Sequence, residues 1–131
     1  MKIVLTGGKF NRIHEGHLWL LKKAKKLGYL VVVLANDSNN IRPYAIPAAI
    51  RKRNLEQLKI ADKIIVGHRE KFSNVLKRYK PDIVVLGYDQ RLPDEETEDI
   101  IKKMNIKIMK FKKHGTYSTR KLNQSNFTYS L

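Results

Sequence analysis

Two textures alternate along the chain. Short, largely apolar runs rich in β-branched residues occur at Ile3–Leu5, Tyr29–Ala35, Lys63–Val66, Ile83–Leu86 and Ile106–Phe111. Continuous apolar runs of this length predict strands buried on both faces. Longer amphipathic stretches lie between them. Leu18, Leu20, Leu21, Ala24 and Leu27 mark a helical stripe, and Gly28 is placed to close it as a C-cap residue. Ala48–Lys59 carries Ile50, Leu55 and Leu58 along one side, and Glu70–Tyr79 and Asp94–Met104 are the next two helical candidates. The strict alternation predicts an α/β three-layer sandwich, a five-stranded parallel sheet with helices on both faces. Strand twist makes the crossovers right-handed.

In open parallel sheets ligands sit beyond the carboxyl ends of the strands, where strand order reverses. Four segments should therefore converge: Thr6–His17, Asn36–Pro43, Gly87–Gln90 and Lys112–Thr119. They hold five of the seven Gly and three of the four His of the chain. The first reads Thr6-Gly7-Gly8-Lys9-Phe10-Asn11-Arg12-Ile13-His14-Glu15-Gly16-His17 and runs from a strand into a helix. It is neither a Walker loop nor a dinucleotide fingerprint, but it contains His-x-Gly-His. The composition gives about 0.006 such matches by chance, so the motif carries information. Gly7, Gly8 and Gly16 lack a Cβ and can let backbone approach phosphate oxygens. A helix starting near Gly16 offers free N–H groups and a positive dipole end. His14 and His17 are three positions apart, so both can point into one site and donate to a developing phosphorane. His68 and His114 have no comparable spacing.

Composition narrows the classes. At 131 residues the chain suits one domain; residues 1–122 are read as that domain and 123–131 as a polar tail. The absence of cysteine excludes disulfide scaffolds, zinc–thiolate sites and cysteine nucleophiles. No apolar run reaches membrane-spanning length, and the amino terminus enters a strand at once without the layout of a signal peptide. A soluble cytoplasmic protein with no membrane partner is expected. The net charge of +15 favours polyanionic partners, from nucleic acid to small phosphate-rich substrates. A nucleic-acid module would interleave aromatics with basic residues on one face. Here the aromatics are scattered and Trp19 sits in an apolar helical segment, so that reading ranks behind a phosphate-handling enzyme.

The stretch Gly7–Gly28 resembles the first βα unit of the HxGH nucleotidylyltransferases, the cytidylyltransferase-like group of Rossmann-type proteins. The resemblance runs to about Leu122. Ala35-Asn36-Asp37-Ser38-Asn39, then Arg42-Pro43 and Arg51, look like the family's segment after the second strand. Gly87-Tyr88-Asp89-Gln90 looks like its Gly-x-Asp segment, and Tyr117-Ser118-Thr119 like its Ser-Thr helix start. The Gly-Tyr-Asp-Gln and Tyr-Ser-Thr pair is most similar to the archaeal-type FAD synthases; glycerol-3-phosphate cytidylyltransferases are near cousins. Asn11 stands where the family usually has Asp. Lys112-Lys113-His114-Gly115 replaces an Arg-containing lead-in.

The resemblance implies the HxGH nucleotidylyltransferase fold, a Rossmann-like three-layer sandwich, and direct nucleotidyl transfer. AMP passes from ATP to FMN, giving FAD and pyrophosphate. The alternative is CTP with a glycerol, polyol or sugar phosphate. A phosphate monoester with a second pKa near ~6 is already largely anionic, so no general base is needed. Catalysis reduces to alignment and charge stabilisation. His14 and His17 are the catalytic candidates. Thr6, Gly7, Gly8, Lys9, Phe10, Gly16, Gly87, Asp89, Tyr117, Ser118 and Thr119 are the expected nucleotide contacts, and Asn11, Arg42, Arg51 and Lys112 the candidates for substrate phosphates. Mg²⁺ or another divalent cation is expected with the triphosphate, held mostly by phosphate oxygens and water. The family also implies a homodimer.

Overall fold

The computed structural model describes residues 1–11, 13, 15–35, 37, 45–67, 72–87, 90–92 and 94–111, and the backbone of 117–120. Ten elements follow in order: β1 (Ile3–Gly8), α1 (Glu15–Lys25), β2 (Tyr29–Leu34), α2 (Ala48–Leu58), β3 (Lys63–Val66), α3 (Phe72–Tyr79), β4 (Ile83–Leu86), α4 (Glu95–Lys103), β5 (Lys107–Phe111) and β6 (Tyr117–Arg120). The strand order is β3-β2-β1-β4-β5-β6. The first five strands are parallel, as the alternating pattern predicts, and β6 adds an antiparallel edge strand. The order reverses between β1 and β4, which puts the switch point beside the first loop.

Alternating side chains of each strand feed two cores. Val4, Val32, Leu34, Ile83, Val85 and Met109 face Leu21, Ala24 and Leu55 of α1 and α2. Leu5, Val33, Val84, Leu86 and Ile108 face Val75, Leu76 and Ile101 of α3 and α4. The inner strands β2 and β4 are thus covered on both faces, which explains why their sequences are nearly continuous apolar runs. Trp19, partly buried, packs against the first core, edge-on to Phe111 with ring centroids 4.8 Å apart. Asp94 caps α4, its Oδ1 accepting from Thr97 N at 2.8 Å and from Thr97 Oγ1 at 2.7 Å. Among the described residues no helix is long and apolar enough to cross a membrane.

Four local expectations are corrected. The first strand runs on to Gly8 instead of stopping at Leu5, because Gly7 and Gly8 pair with Val33 and Leu34 of β2. The buried stripe of α2 is Ala48, Arg51 and Leu55, and Ile50 is 43 % exposed. Arg51 and Leu55 lie four apart on one face, and hydrogen bonds compensate the buried guanidinium. Gly28 is not a left-handed C-cap. A Cβ there would sit 2.2 Å from the Lys2 carbonyl oxygen, so close approach of two chain segments is what requires glycine. Tyr117-Ser118-Thr119 is part of β6 and not a helix start. The free edge of β5 pairs Phe111 with Tyr117, Lys110 with Ser118 and Met109 with Thr119, and these aromatic and hydroxyl residues suit a strand. The domain boundary expected at residue 122 lies outside the described residues.

Candidate active site

The carboxyl edge of the sheet gathers three of the four expected segments. Asn11 Oδ1, after β1, accepts from Ile46 N at 3.0 Å, on the approach to α2. Asp37, after β2, accepts at Oδ1 from Ala48 N at 2.8 Å. Gln90, after β4, receives the Gly87 N–H at Oε1 and donates from Nε2 to the Gly7 carbonyl, both at 2.7 Å. That side chain bridges the switch point between β1 and β4. Of the fourth segment, the residues between β5 and β6 lie outside the described residues. The two strands meet at this edge, where Tyr117 pairs with Phe111.

The two glycines at the end of β1 have protein neighbours in the space a Cβ would need. At Gly7 it would meet the Val33 carbonyl oxygen at 3.2 Å and Phe72 Cε1 at 3.7 Å; at Gly8 it would meet Phe10 Cε2 at 2.9 Å. Phe10 is buried and has φ 51°. Among the described residues Lys59, Lys80 and Asn105 share that sign of φ, but each follows a helix end, where left-handed backbone is ordinary. Phe10 lies in the middle of a loop. A bulky residue held there costs on the order of 1–3 kcal/mol, a kind of strain that clusters at functional sites.

Phe10 also touches the motif histidine. Its ring and that of His17 lie 5.0 Å apart, tilted by 51°. His17 is half-buried in the first turn of α1, with Glu15 and the exposed Gly16 before it. The imidazole at this helix start packs on the ring that stands against Gly8 and still meets solvent. His14, Arg42, Asp89 and Lys112 lie outside the described residues.

Two candidates turn inward. Thr6 is buried and its hydroxyl donates to the Val85 carbonyl at 2.9 Å, stitching β1 to β4. Arg51 is fully buried. Its Nε donates to the Ile46 carbonyl at 2.6 Å, Nη1 to the Lys9 carbonyl at 2.7 Å and Nη2 to Asp37 Oδ1 at 3.2 Å. Gln90 and Asp37 were not among the expected site residues. Gln90 is visible in the Gly-Tyr-Asp-Gln tetrapeptide, but nothing in local spacing announces a bond to a residue 83 positions away.

The profile of the cytidylyltransferase-like family matches residues 5–129. The chain is 37% identical over 118 residues to a FAD synthase of Aciduliprofundum boonei, covering 86% of this chain and 79% of the relative. It is 41% identical over 110 residues to a FAD synthase of Ferroglobus placidus, covering 82% and 72%. A crystal structure described as a lipopolysaccharide core biosynthesis protein of Thermoplasma volcanium superposes with a TM-score of 0.73 at 38% identity, covering 84% of this chain and 95% of that one.

Proposed function

The chain belongs to the cytidylyltransferase-like family, and from that premise we propose that it is an FMN adenylyltransferase, making FAD and pyrophosphate from ATP and FMN. The observation that carries the reading is similarity to FAD synthases over more than four-fifths of the chain. An imidazole in the first turn of α1, packed on the Phe10 ring that stands against Gly8 at the end of β1, supports it. The CTP–polyol phosphate alternative and the nucleic-acid module are not favoured, since these relatives carry the FAD synthase name.

The transfer balances without an external base. A phosphate oxygen of FMN attacks the α-phosphorus of ATP, the bond from that phosphorus to the bridging oxygen breaks, and pyrophosphate leaves with the electron pair. His17 donates to the charge that grows on the phosphorane, with His14 as its expected companion. Gly7, Gly8, Lys9 and Phe10 form the phosphate cradle, and Gly16 opens the helix end that faces it. Gly87, Asp89, Tyr117, Ser118 and Thr119 complete the nucleotide contacts of this reading. Arg42 and Lys112 bring positive charge to the substrate and leaving phosphates. A divalent cation enters with the triphosphate. Most of its ligands would be phosphate oxygens and water. The homodimer expected of the family is part of the same reading.

Pyrophosphate release, measured with ATP and with CTP, each offered FMN or glycerol-3-phosphate, tests the proposal. Release with ATP and FMN is expected. Release with CTP and glycerol-3-phosphate alone overturns it.

A further inference from the structure

The Lys9–Phe10 peptide is held from one side. Its carbonyl oxygen accepts from Arg51 Nη1, so it points at α2. No peptide bond among the described residues is cis. In a trans peptide the C=O and the next N–H point in opposite directions. The Phe10 N–H therefore points away from α2, and no described residue accepts a hydrogen bond from it. A backbone donor at a buried residue is costly without an acceptor. The left-handed φ of Phe10 is the conformation that permits this peptide orientation.

Arg51 is built for the task. Its three donating nitrogens reach the first loop, the segment after β2 and the approach to α2. A planar fork spreads its donors over three nitrogens, whereas a lysine gathers all of its donors on one atom. Asp37 secures the far side by accepting from both Arg51 and Ala48 N. With every side-chain contact internal and no exposed surface, the guanidinium acts on the ligand through the loop.

We propose that Arg51 is a positioning residue: by holding the Lys9 carbonyl toward α2, it presents the Phe10 N–H to a phosphate oxygen of the bound triphosphate. The proposal rests on the adenylyltransferase reading only for the identity of the triphosphate.

The test combines ¹H–¹⁵N spectra of the full chain with kinetics of Arg51→Lys. In the wild type the Phe10 amide resonance shifts on addition of α,β-methylene ATP with Mg²⁺ and stays in place with FMN alone. In Arg51→Lys that response is lost. kcat/KM for ATP falls on the order of tenfold or more, while KM for FMN stays within about twofold. A purely structural arginine would lower stability and the active fraction without selecting the ATP parameters. Should Arg51→Lys fail to fold, Asp37→Asn decides: a drop of about threefold in kcat/KM for ATP with KM for FMN unmoved supports the proposal, and unchanged values overturn it. A wild-type Phe10 amide that ignores the nucleotide, or a folded Arg51→Lys with wild-type ATP kinetics, also overturns it. If the ATP analogue shifts the amide but FMN accepts no AMP, the acceptor assignment fails and the Arg51 role stands.

Discussion

The two edges of the sheet are closed by different chemistry. At the amino edge the chain satisfies itself. Tyr29 N donates to the Lys2 carbonyl, Asp62 N to the Leu30 carbonyl, Asp82 N to the Ile3 carbonyl and Lys107 N to the Asp82 carbonyl. Two solvent-accessible carboxylates add to this: Asp82 Oδ2 accepts from Ile3 N at 2.7 Å, and Asp62 Oδ2 from Leu30 N at 2.8 Å. At the carboxyl edge Ala35 N and Gly67 N likewise carry the ladder on to the Gly8 and Leu34 carbonyls, and the added ties are side chains reaching across loops: Arg51, Gln90 and Asn11. They hold a strained turn at Phe10 and leave its N–H without a described acceptor. Among the described residues the amino edge is closed by the protein's own groups, and the Phe10 N–H at the carboxyl edge is the donor we assign to a ligand. Substitutions at the carboxyl edge should therefore cost activity, and those at the amino edge stability.

The largest expected effect lies at the carboxyl edge. His17→Ala should lower turnover by on the order of 10²-fold, the usual loss for one donor to a developing oxyanion. Its thermal midpoint should fall only modestly, since the imidazole is half-buried, in contact with the core residue Phe10 at its edge. Steady-state kinetics beside a melting curve separate the two. Near wild-type turnover in a folded His17→Ala protein would remove this residue from the mechanism.

Gly28→Ala is the counterpart at the amino edge. The new methyl would fall 2.2 Å from the Lys2 carbonyl oxygen and 3.0 Å from its carbonyl carbon. Both neighbours are backbone, so β1 or the turn before β2 must move. A cost of roughly 1–3 kcal/mol in denaturant unfolding is expected, as for other overpacked sites. The kcat of the fraction that remains folded should be unchanged. A selective fall in kcat would break the division between the edges.

The same division governs what the sequence discloses. Ile83–Leu86 is legible to the residue, because a strand covered on both faces reads as a continuous apolar run, and the β-branched run of Lys63–Val66 is legible too although β3 is a partly buried edge strand. The place of the site is legible too, since strand alternation and the switch-point rule need only the order of elements. What escapes local reading is set by partners far along the chain. β1 extends through two glycines because β2 offers a ladder, and β6 forms because β5 has a free edge. Helical periodicity favours Ile50 over Arg51 as a core residue of α2. The reverse holds because Lys9, Asp37 and Ile46 together offer the guanidinium acceptors that no sequence window shows. The motif draws attention to the first loop, and the hydrogen bonds show that Thr6 and Arg51 face the protein.

The smallest expected effect is electrostatic and tests the amino edge at its weakest tie. Lys25 Nζ lies 2.6 and 2.8 Å from the two Asp62 oxygens, and its hydrogen bonds, followed by that of the Leu30 N–H, hold the Asp62 carboxyl below its ordinary value of 3.8. Desolvation opposes the shift, and the charge of Lys25 adds a smaller lowering. A carboxylate with a depressed folded pKa stabilises the protein above its unfolded pKa, and that contribution fades as pH falls through the folded value. The pair is solvent-accessible, so its contribution is about 1 kcal/mol or less. Urea unfolding of the wild type and Asp62→Asn should differ by that amount at pH 7, and the two should converge below pH 3.8 as Asp62 protonates. High salt should shrink the gap at pH 7, because the exposed charges are screened. Adenylyl transfer should be the same in both proteins, since Asp62 binds the opposite end of the strands from His17. A gap that persists into acid would mean that the Asp62 tie works through the Leu30 hydrogen bond and packing, and that charge contributes little to this edge.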